Sequence, residues 1–285
     1  MSTQILLYGL VIFIFSVIRP FAYRPCAKLF PAEMSSAFTS TWLVVSIVLT
    51  FPFLSHLIDF YTLKENFDCV VISIVKGIAL WAGIKYSQIV NRESTSSSVF
   101  LTFIVLALGA LINNLFFKES LSTAHLMAMV SIGLLGVVFV FKGDIRRTSP
   151  QAKAAFVFVV FAFTFCMVSD HLVIGKIGWY AHLAISYIAM YLISCFRGIS
   201  RTDYKNIFTN KMVIAAGLVY IAGEYVIIYS SINIMPVSFV GLFTRMAAAV
   251  VMVLSAIFYK EQSIKTQTLF ASIAFCAAMV VIFVK

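Results

Sequence analysis

Charged residues are scarce in this chain: Asp, Glu, Lys and Arg together make up 11% of its 285 residues. Soluble domains carry about a quarter of charged residues and about half of apolar ones. Here the hydrophobic share is 62%. Because so little charge cannot cover a water-facing surface, the composition excludes a soluble globular fold.

Cysteine is also sparse, and the sequence has no nucleotide-binding motif. The five cysteines stand singly within or at the edges of apolar runs, without a C-x-x-C pair. We expect small apolar core residues there rather than a metal or redox site. The histidines have no ligand-like spacing, so we expect no metal and no cofactor. The missing nucleotide motif excludes ATP as a direct energy source.

Clusters of functional polar residues are missing as well. The formal net charge is +10, but the basic residues are scattered through short loops, which argues against a nucleic-acid partner. A membrane-embedded enzyme needs clustered His, Asp or Glu, and the chain offers only the dipeptide Asp170-His171. We therefore expect a protein that is not an enzyme.

Long apolar runs are what the chain has in abundance. Runs of about 20 residues suit helices that cross a bilayer, and the alternating pattern of an outer-membrane barrel is absent. The run Ile5–Ile18 has no basic residue before it and no small-residue cleavage site after it, so we interpret it as the first span. The ten predicted segments are 4–28, 36–57, 68–90, 95–117, 121–141, 153–175, 179–198, 211–231, 235–258 and 264–284.

Two near copies of a short element reveal an internal repeat. Phe116–Glu119 and Phe258–Glu261 lie 142 residues apart, half the length of the chain, and Ala82-Gly83 matches Ala222-Gly223 at a spacing of 140. Five spans per half is an odd number, so the second copy is inverted relative to the first. The predicted fold is all-α, with ten transmembrane helices as two inverted-topology five-helix repeats. The repeats are 1–142 and 153–285, and the loop 143–152 connects them.

The repeat and its motif resemble a known family. Phe117–Leu121 and Tyr259–Ser263 are similar to the element that closes the fourth and ninth helices in the EamA-like branch of the drug/metabolite transporter superfamily. The chain departs from the family at Phe15-Ser16, where a Trp-Gly pair is common, and at Phe103 and Arg245, where proline is common. The resemblance implies secondary transport by alternating access around a central cavity. It also implies a long first helix that continues through Pro20.

The distribution of Lys and Arg predicts the orientation. Thirteen of these residues lie in the loops of one face, including the 143–152 loop, and four lie on the face that holds both termini. This bias places the termini outside the cytoplasm, whereas the family resemblance implies termini inside it. We expect a multi-pass protein of the bacterial inner membrane, either a monomer or a homodimer in contact with membrane lipid.

Ionisable residues inside apolar segments are the candidate site, because a charge in mid-bilayer costs about 3 kcal/mol and usually faces a cavity or a partner. Arg245 lies near the middle of 235–258 and could bind an anionic substrate group or form a structural ion pair. Glu224 could be its partner, a proton carrier or a ligand for a substrate amine. Lys76 lies deep in the third segment. Arg19 and Arg24 lie within the membrane if the first helix continues.

Four further candidates are weaker. Asp170 and His171 close the sixth segment and could relay protons, although such a pair is often interfacial. Trp81 and Tyr220 lie on the charge-bearing third and eighth segments, either as cavity walls or as ordinary packing. The candidates for substrate binding are therefore Arg245, Lys76, Glu224, Tyr220, Trp81, Arg19 and Arg24, and those for proton coupling are Glu224, Asp170 and His171.

The sequence favours a secondary active transporter of a small polar metabolite with an anionic or zwitterionic group. An amino acid, an organic acid or a phosphorylated metabolite would suit the excess of basic candidates. The coupling partner would be a proton or an exchanged metabolite. The alternatives are an exporter of hydrophobic or aromatic compounds, a flippase of a lipid-linked precursor, and an accessory membrane protein without transport.

Overall fold

A computed structural model describes residues 3–29, 32–93, 95–117, 123–142, 149–196, 201–235, 237–259, 268–269, 272–273 and 276. Helices account for nearly all of these residues, and none of them lies in a strand. The helices are α1 (Thr3–Leu29), α2 (Ala32–Leu54), α3 (Phe60–Glu65), α4 (Phe67–Glu93), α5 (Thr95–Phe117), α6 (Thr123–Lys142), α7 (Pro150–Ile177), α8 (Trp179–Phe196), α9 (Arg201–Thr209), α10 (Lys211–Asn233) and α11 (Val237–Tyr259).

Seven helices within the described residues are long and apolar enough to cross a bilayer. Two shorter apolar stretches, Phe103–Phe116 and Leu126–Val138, lie in α5 and α6. Large apolar side chains remain exposed on the outer helix faces, among them Phe53 at 75% and Phe161 at 67%. Surfaces of this kind suit lipid rather than water. The prediction of an all-α, multi-pass membrane protein is therefore confirmed.

The first nine predicted segments each overlap one long helix, whereas the tenth, 264–284, falls mostly outside the described residues. The helix α1 runs from Thr3 to Leu29 and passes through Pro20 and Pro25 without a break. Two short helices, α3 and α9, were not predicted. Asp59 starts α3 by accepting a hydrogen bond from the Tyr61 amide at 3.0 Å, a typical N-cap.

Contacts between helices that are distant in sequence form the interior of the described bundle. The helix α4 packs against α7 and α8, and α1 packs against α10 and α11. The helix α2 lies against α8 and α4, and α5 joins α6, α7 and α11. The interior therefore lies between residues that are distant in sequence, and side chains of α1, α4, α7, α8 and α10 can meet there.

Candidate functional site

Gly77 brings α4 and α8 unusually close. A Cβ atom at this position would lie 2.3 Å from the carbonyl oxygen of Ser186 and 2.8 Å from the Cβ of Ala189. Only glycine leaves room for this approach, as small residues commonly do between membrane helices. As a result Ser73 and Lys76, on the preceding turn of α4, reach His182 at the start of α8.

Gly178 makes the turn between α7 and α8. Its φ of +81° lies in the region that side-chain-bearing residues rarely adopt. Its amide donates to Ile174 O at 3.1 Å, and its carbonyl accepts from the His182 amide at 3.2 Å. This tight turn directs α8 back along α7 and places His182 beside Asp170.

A buried polar cluster joins α4, α7 and α8. The Lys76 ammonium donates to Asp170 Oδ1, and His182 Nε2 lies 2.9 Å from the same oxygen. The other ring nitrogen, His182 Nδ1, lies 2.7 Å from Ser73 Oγ. Lys76 is 7% exposed and His182 is 1% exposed. Charges buried this deeply need partners, and here each has one.

A second charged cluster joins α1 to α10. Arg19 Nη2 lies 2.7 Å from Glu224 Oε2 and donates to the carbonyl oxygen of Tyr220 at 3.3 Å. The guanidinium also covers the Tyr220 ring, 4.0 Å from its centroid. The second oxygen, Glu224 Oε1, accepts from the Tyr187 hydroxyl at 3.2 Å. Glu224 therefore connects α10 to both α1 and α8.

Both clusters meet at one cavity of about 260 Å³. Gly175, Trp179 and Ser231 line it near the ends of α7 and α10, and because Gly175 is exposed we place the mouth of the cavity there. Lys76 and Glu224 lie at about nine residues, or about 13 Å, from the nearest end of their helices. They are therefore close to the middle of a hydrocarbon layer of about 30 Å. The remaining lining residues are Asp170, His171, Ile174, His182, Leu183, Tyr187, Ile227, Ile228, Ile232 and Val240.

The cavity combines an apolar wall with balanced charges. One ammonium, that of Lys76, faces the carboxylates of Asp170 and Glu224. Arg19 contributes the second positive charge from behind Glu224. A ligand with both an ammonium and a carboxylate could exchange partners with these groups without leaving a buried charge unpaired.

Hydrogen bonds hold the helices together on either side of the cavity. Near the beginning of α2, Ser36 Oγ donates to Trp81 O at 2.9 Å, and Ser40 donates to Ser194 Oγ at 3.1 Å. Near the end of α2, Thr50 Oγ1 lies 3.1 Å from the Tyr180 hydroxyl and 3.0 Å from the Tyr225 hydroxyl. Ser36, Ser40 and Ser194 are all buried, so these helix contacts lie inside the bundle, at the end of α2 away from the cavity mouth.

The structure places the sequence candidates in three groups. Lys76, Glu224, Asp170 and His171 line the cavity. Arg19 and Tyr220 support Glu224 through the contacts above, and Trp81 is 7% exposed in the core against Leu43 and Tyr187. The side chains of Arg24 and Arg245 lie outside those that the structure describes.

Sequence reasoning missed Ser73, His182 and Tyr187 as members of the site. His182 appeared isolated because no partner lies at a ligand-like spacing, yet it contacts Asp170, twelve residues earlier, through the Gly178 turn. No pattern in the sequence pairs these residues, since the contact depends on the close approach at Gly77.

Comparisons with known proteins support the fold alone. No family model and no curated protein matches this chain. Fifteen chains of solved structures match it. One of them, known only as "Crystal structure of protein", is 12% identical with a TM-score of 0.67, over 99% of this chain and 98% of that one. The similarity extends over the whole length, so the chain shares that overall architecture.

Proposed function

We propose that the chain is a secondary active transporter of a small polar metabolite that carries an anionic or zwitterionic group. The observation that carries the proposal is the cavity of about 260 Å³, in which the buried ammonium of Lys76 and the partly buried carboxylates of Asp170 and Glu224 lie near mid-membrane. Such charges are costly in a bilayer and usually mark the path of a substrate or an ion. The sequence resemblance to EamA-like drug/metabolite transporters also favours the proposal of a transporter.

The proposal includes two inverted five-helix repeats, 1–142 and 153–285. The packing pattern supports this architecture. In such a repeat α1 corresponds to α7, α4 to α10 and α5 to α11. The packing of α4 against α7 then has its counterpart in the packing of α10 against α1. In the same way, the packing of α5 against α7 has its counterpart in the packing of α11 against α1. The helices α5 and α11 occupy equivalent positions in the two halves and contact each other, and the same is true of α2 and α8. A substrate site between two such halves is typical of secondary transporters.

The two ion pairs follow the same relation. Lys76–Asp170 joins α4 to α7, and Arg19–Glu224 joins α10 to α1. Each ion pair therefore links one half to the other, and the two pairs lie at equivalent places in the repeat. The acid and the base are exchanged, because α4 carries the base of its pair whereas the equivalent helix α10 carries the acid. If the halves rock against each other during alternating access, both ion pairs cross the interface at which the halves move relative to each other.

Size and charge favour a zwitterion among the proposed substrates. Pockets for drug-sized ligands are about 300–1,000 Å³, so this cavity suits a smaller molecule. A substrate carboxylate would approach Lys76, and an ammonium would approach Glu224. The apolar wall of Ile227 and Ile228 would accept an aliphatic side chain. A neutral amino acid combines these three features.

Uptake by purified protein in liposomes tests the proposal. Separate radiolabelled pools of neutral amino acids, organic acids and sugar phosphates would be offered in a counterflow assay. We expect the amino-acid pool to accumulate, and Lys76→Ala and Glu224→Gln to reduce the rate by about a hundredfold, about 3 kcal/mol of lost interaction. Wild-type protein that moves no pool, or variants as active as wild type, would overturn the proposal.

The apolar wall supports a second candidate, an exporter of hydrophobic or aromatic compounds or a flippase of a lipid-linked precursor. In that case the ion pairs are structural. The double variant Arg19→Gln with Glu224→Gln separates the two functions, because it removes both charges together. Transport of a hydrophobic dye that survives in the double variant favours the exporter, and loss of amino-acid counterflow favours the metabolite transporter.

We further propose a location in the bacterial inner membrane with both termini outside the cytoplasm. The excess of Lys and Arg on the opposite face supports this orientation. In this orientation the described cavity opens outward, since its mouth lies near the ends of α7 and α10, on the face that the sequence predicts to hold the termini. An impermeant reagent that labels a cysteine in the 143–152 loop of intact cells would reverse the assignment.

A further inference from the structure

His182 sits between a carboxylate and a hydroxyl, with both of its ring nitrogens engaged. Nδ1 lies 2.7 Å from Ser73 Oγ, and Nε2 lies 2.9 Å from Asp170 Oδ1. Lys76 Nζ is 3.3 Å from the same Nε2. The imidazole is 1% exposed, and it lines the cavity together with Asp170 and Lys76.

Hydrogen-bond donors limit how protons can be arranged in this cluster. Ser73 Oγ lies 2.7 Å from the carbonyl oxygen of Cys69, which can only accept a hydrogen bond. If the Ser73 hydroxyl donates to that carbonyl, its oxygen accepts from His182, so Nδ1 carries a proton. The contact of Nε2 with Asp170 Oδ1 then also requires a proton, because two lone pairs would otherwise face each other at 2.9 Å.

We propose that His182 and Asp170 form the binding site for a coupling proton, with Ser73 as the positioning residue that fixes the Nδ1–H tautomer. In the loaded state both ring nitrogens carry protons, and Nε2–H donates to Asp170. On release, the Nε2 proton passes through Asp170 to the water of the cavity. Nε2 is then left as an acceptor for the Lys76 ammonium, which lies within 3.3 Å.

Several titratable groups of α4, α7, α8 and α10 lie around the imidazole. The helix α2 packs directly against α8, but none of its described side chains (34–54) carries an ionisable group. Glu224 lies across the cavity but is already paired with Arg19. The groups that face the site are Lys76 of α4, Cys166, Asp170 and His171 of α7, Tyr187 of α8 and Glu224 of α10.

This inference rests on the proposed transport function and specifies its coupling. With the proton bound, Lys76, Asp170 and His182 carry a net charge of +1, and without it they are neutral. Only the loaded cavity has an uncompensated positive charge for a substrate carboxylate. Proton and anionic group therefore bind together, and substrate affinity falls about tenfold for each pH unit above the point where His182 loses its proton.

Nitrogen NMR of histidine-labelled full-length protein tests the proton site without any substrate. The chain has only four histidines, so the His182 signal can be assigned by its loss in His182→Gln. Between about pH 5 and 9 we expect both nitrogens to be protonated at the low end and the Nδ1–H tautomer at the high end. An Nε2–H tautomer at high pH, or a signal that does not change with pH, overturns the proposal.

Ser73→Ala tests the positioning role against a matched control. Without the hydroxyl acceptor, neutral His182 should adopt the Nε2–H tautomer and donate to Asp170. The control is Ser186→Ala, because Ser186 Oγ donates only to backbone oxygens in its described contacts, those of Ser73 at 3.0 Å and His182 at 2.7 Å. It should retain the wild-type tautomer. The same tautomer in Ser73→Ala and wild type would overturn the role of Ser73.

Transport measurements then test the coupling separately from the function. In liposomes supplied with labelled neutral amino acids, His182→Gln should lose accumulation driven by a pH gradient by at least about tenfold, and its weakened counterflow should no longer vary with pH. Ser186→Ala should retain both activities. Wild-type counterflow that ignores the pH gradient overturns the coupling alone, whereas wild-type protein without counterflow overturns the transport function. Should His182→Gln fail to elute as a single species, His182→Asn replaces it.

Discussion

Arg19 Nη2 lies 2.7 Å from Glu224 Oε2, and this ion pair connects helices whose contacting residues are 205 positions apart in the chain. Two tyrosines also contact this pair. Tyr220 contacts Arg19 through its ring and its backbone carbonyl, and the Tyr187 hydroxyl donates to Glu224. Glu224 is thus held on both of its oxygens. The pair is the main polar link between α1 and α10 within the described part of the chain.

A double-mutant cycle should detect strong coupling between these two residues. Their side chains are 28% and 24% exposed, so we expect Arg19→Gln or Glu224→Gln to lower the free energy of unfolding by about 1–3 kcal/mol each. The double variant should lose less than the sum, because no charge is left unpaired. Reversible unfolding in mixed micelles measures the coupling energy.

The pair Lys176–Asp68 is the matched control for that cycle. It spans 3.8 Å between side chains that are 54% and 64% exposed, so its coupling energy should be about 0–1 kcal/mol. Equal coupling energies for the two pairs would contradict the interior role assigned to Arg19–Glu224.

Gly77→Ala should separate α4 from α8. The added methyl group meets the Ser186 carbonyl at 2.3 Å, and this backbone atom cannot move aside without shifting α8. We expect a loss of about 1–3 kcal/mol in the free energy of unfolding and a weaker contact between Ser73 and His182. Gly175→Ala is the control, since no atom lies within 4 Å of its added Cβ. It should be neutral or stabilising by up to about 1 kcal/mol. Similar losses for both variants would refute the packing argument.

Thr50→Val should weaken the junction of α2, α8 and α10. The substitution keeps the shape of the side chain but removes the oxygen that lies 3.1 Å from the Tyr180 hydroxyl and 3.0 Å from the Tyr225 hydroxyl. We expect a cost of about 1–3 kcal/mol, measured by unfolding in mixed micelles. Thr41→Val, which removes only a hydrogen bond to Ala37 O, should cost less than about 1 kcal/mol. The reverse ranking would show that the junction does not depend on Thr50.

The α3 cap should depend on pH in a defined direction. A hydrogen bond from the Thr62 hydroxyl at 2.6 Å, together with one from the Tyr61 amide, lowers the pKa of the Asp59 carboxyl. The cap is therefore complete above the ordinary carboxyl pKa of about 3.9 and is lost as pH falls through the lowered value. The Tyr61 amide signal should titrate in that range. It should not titrate in Asp59→Asn, which retains a capping oxygen, and persistence of the titration there would assign it to another group.

The sequence predicted the long helices well because apolar runs of membrane length have few alternatives. The continuation of α1 through Pro20 was also predicted, and the helix reaches Leu29. The amphipathic α9 was not predicted, since it is only 9 residues long and lies between two apolar runs. A short helix of this kind depends on its contacts with α10 and α2 rather than on a periodic signal.

Partner choice within the site could not be predicted. Sequence spacing identified Lys76, Glu224 and Asp170 as unusual, because ionisable residues stand out in apolar segments. It did not reveal that Glu224 contacts Arg19, or that Asp170 contacts Lys76 and His182. These pairings depend on how each helix is rotated and how closely it packs. Local features such as the approach at Gly77 set that geometry, and they carry no pairwise signal in a single sequence.

Access to the deep part of the cavity from each side of the bilayer is the most direct test of the central claim, a site that is exposed alternately. In liposomes, with the five native cysteines replaced, Ile227→Cys probes the cavity interior and Ser231→Cys probes its mouth. Alternating access predicts that an impermeant maleimide labels Ile227→Cys from either side and labels Ser231→Cys from one side only. Labelling of Ile227→Cys only from the side that also labels Ser231→Cys would contradict it.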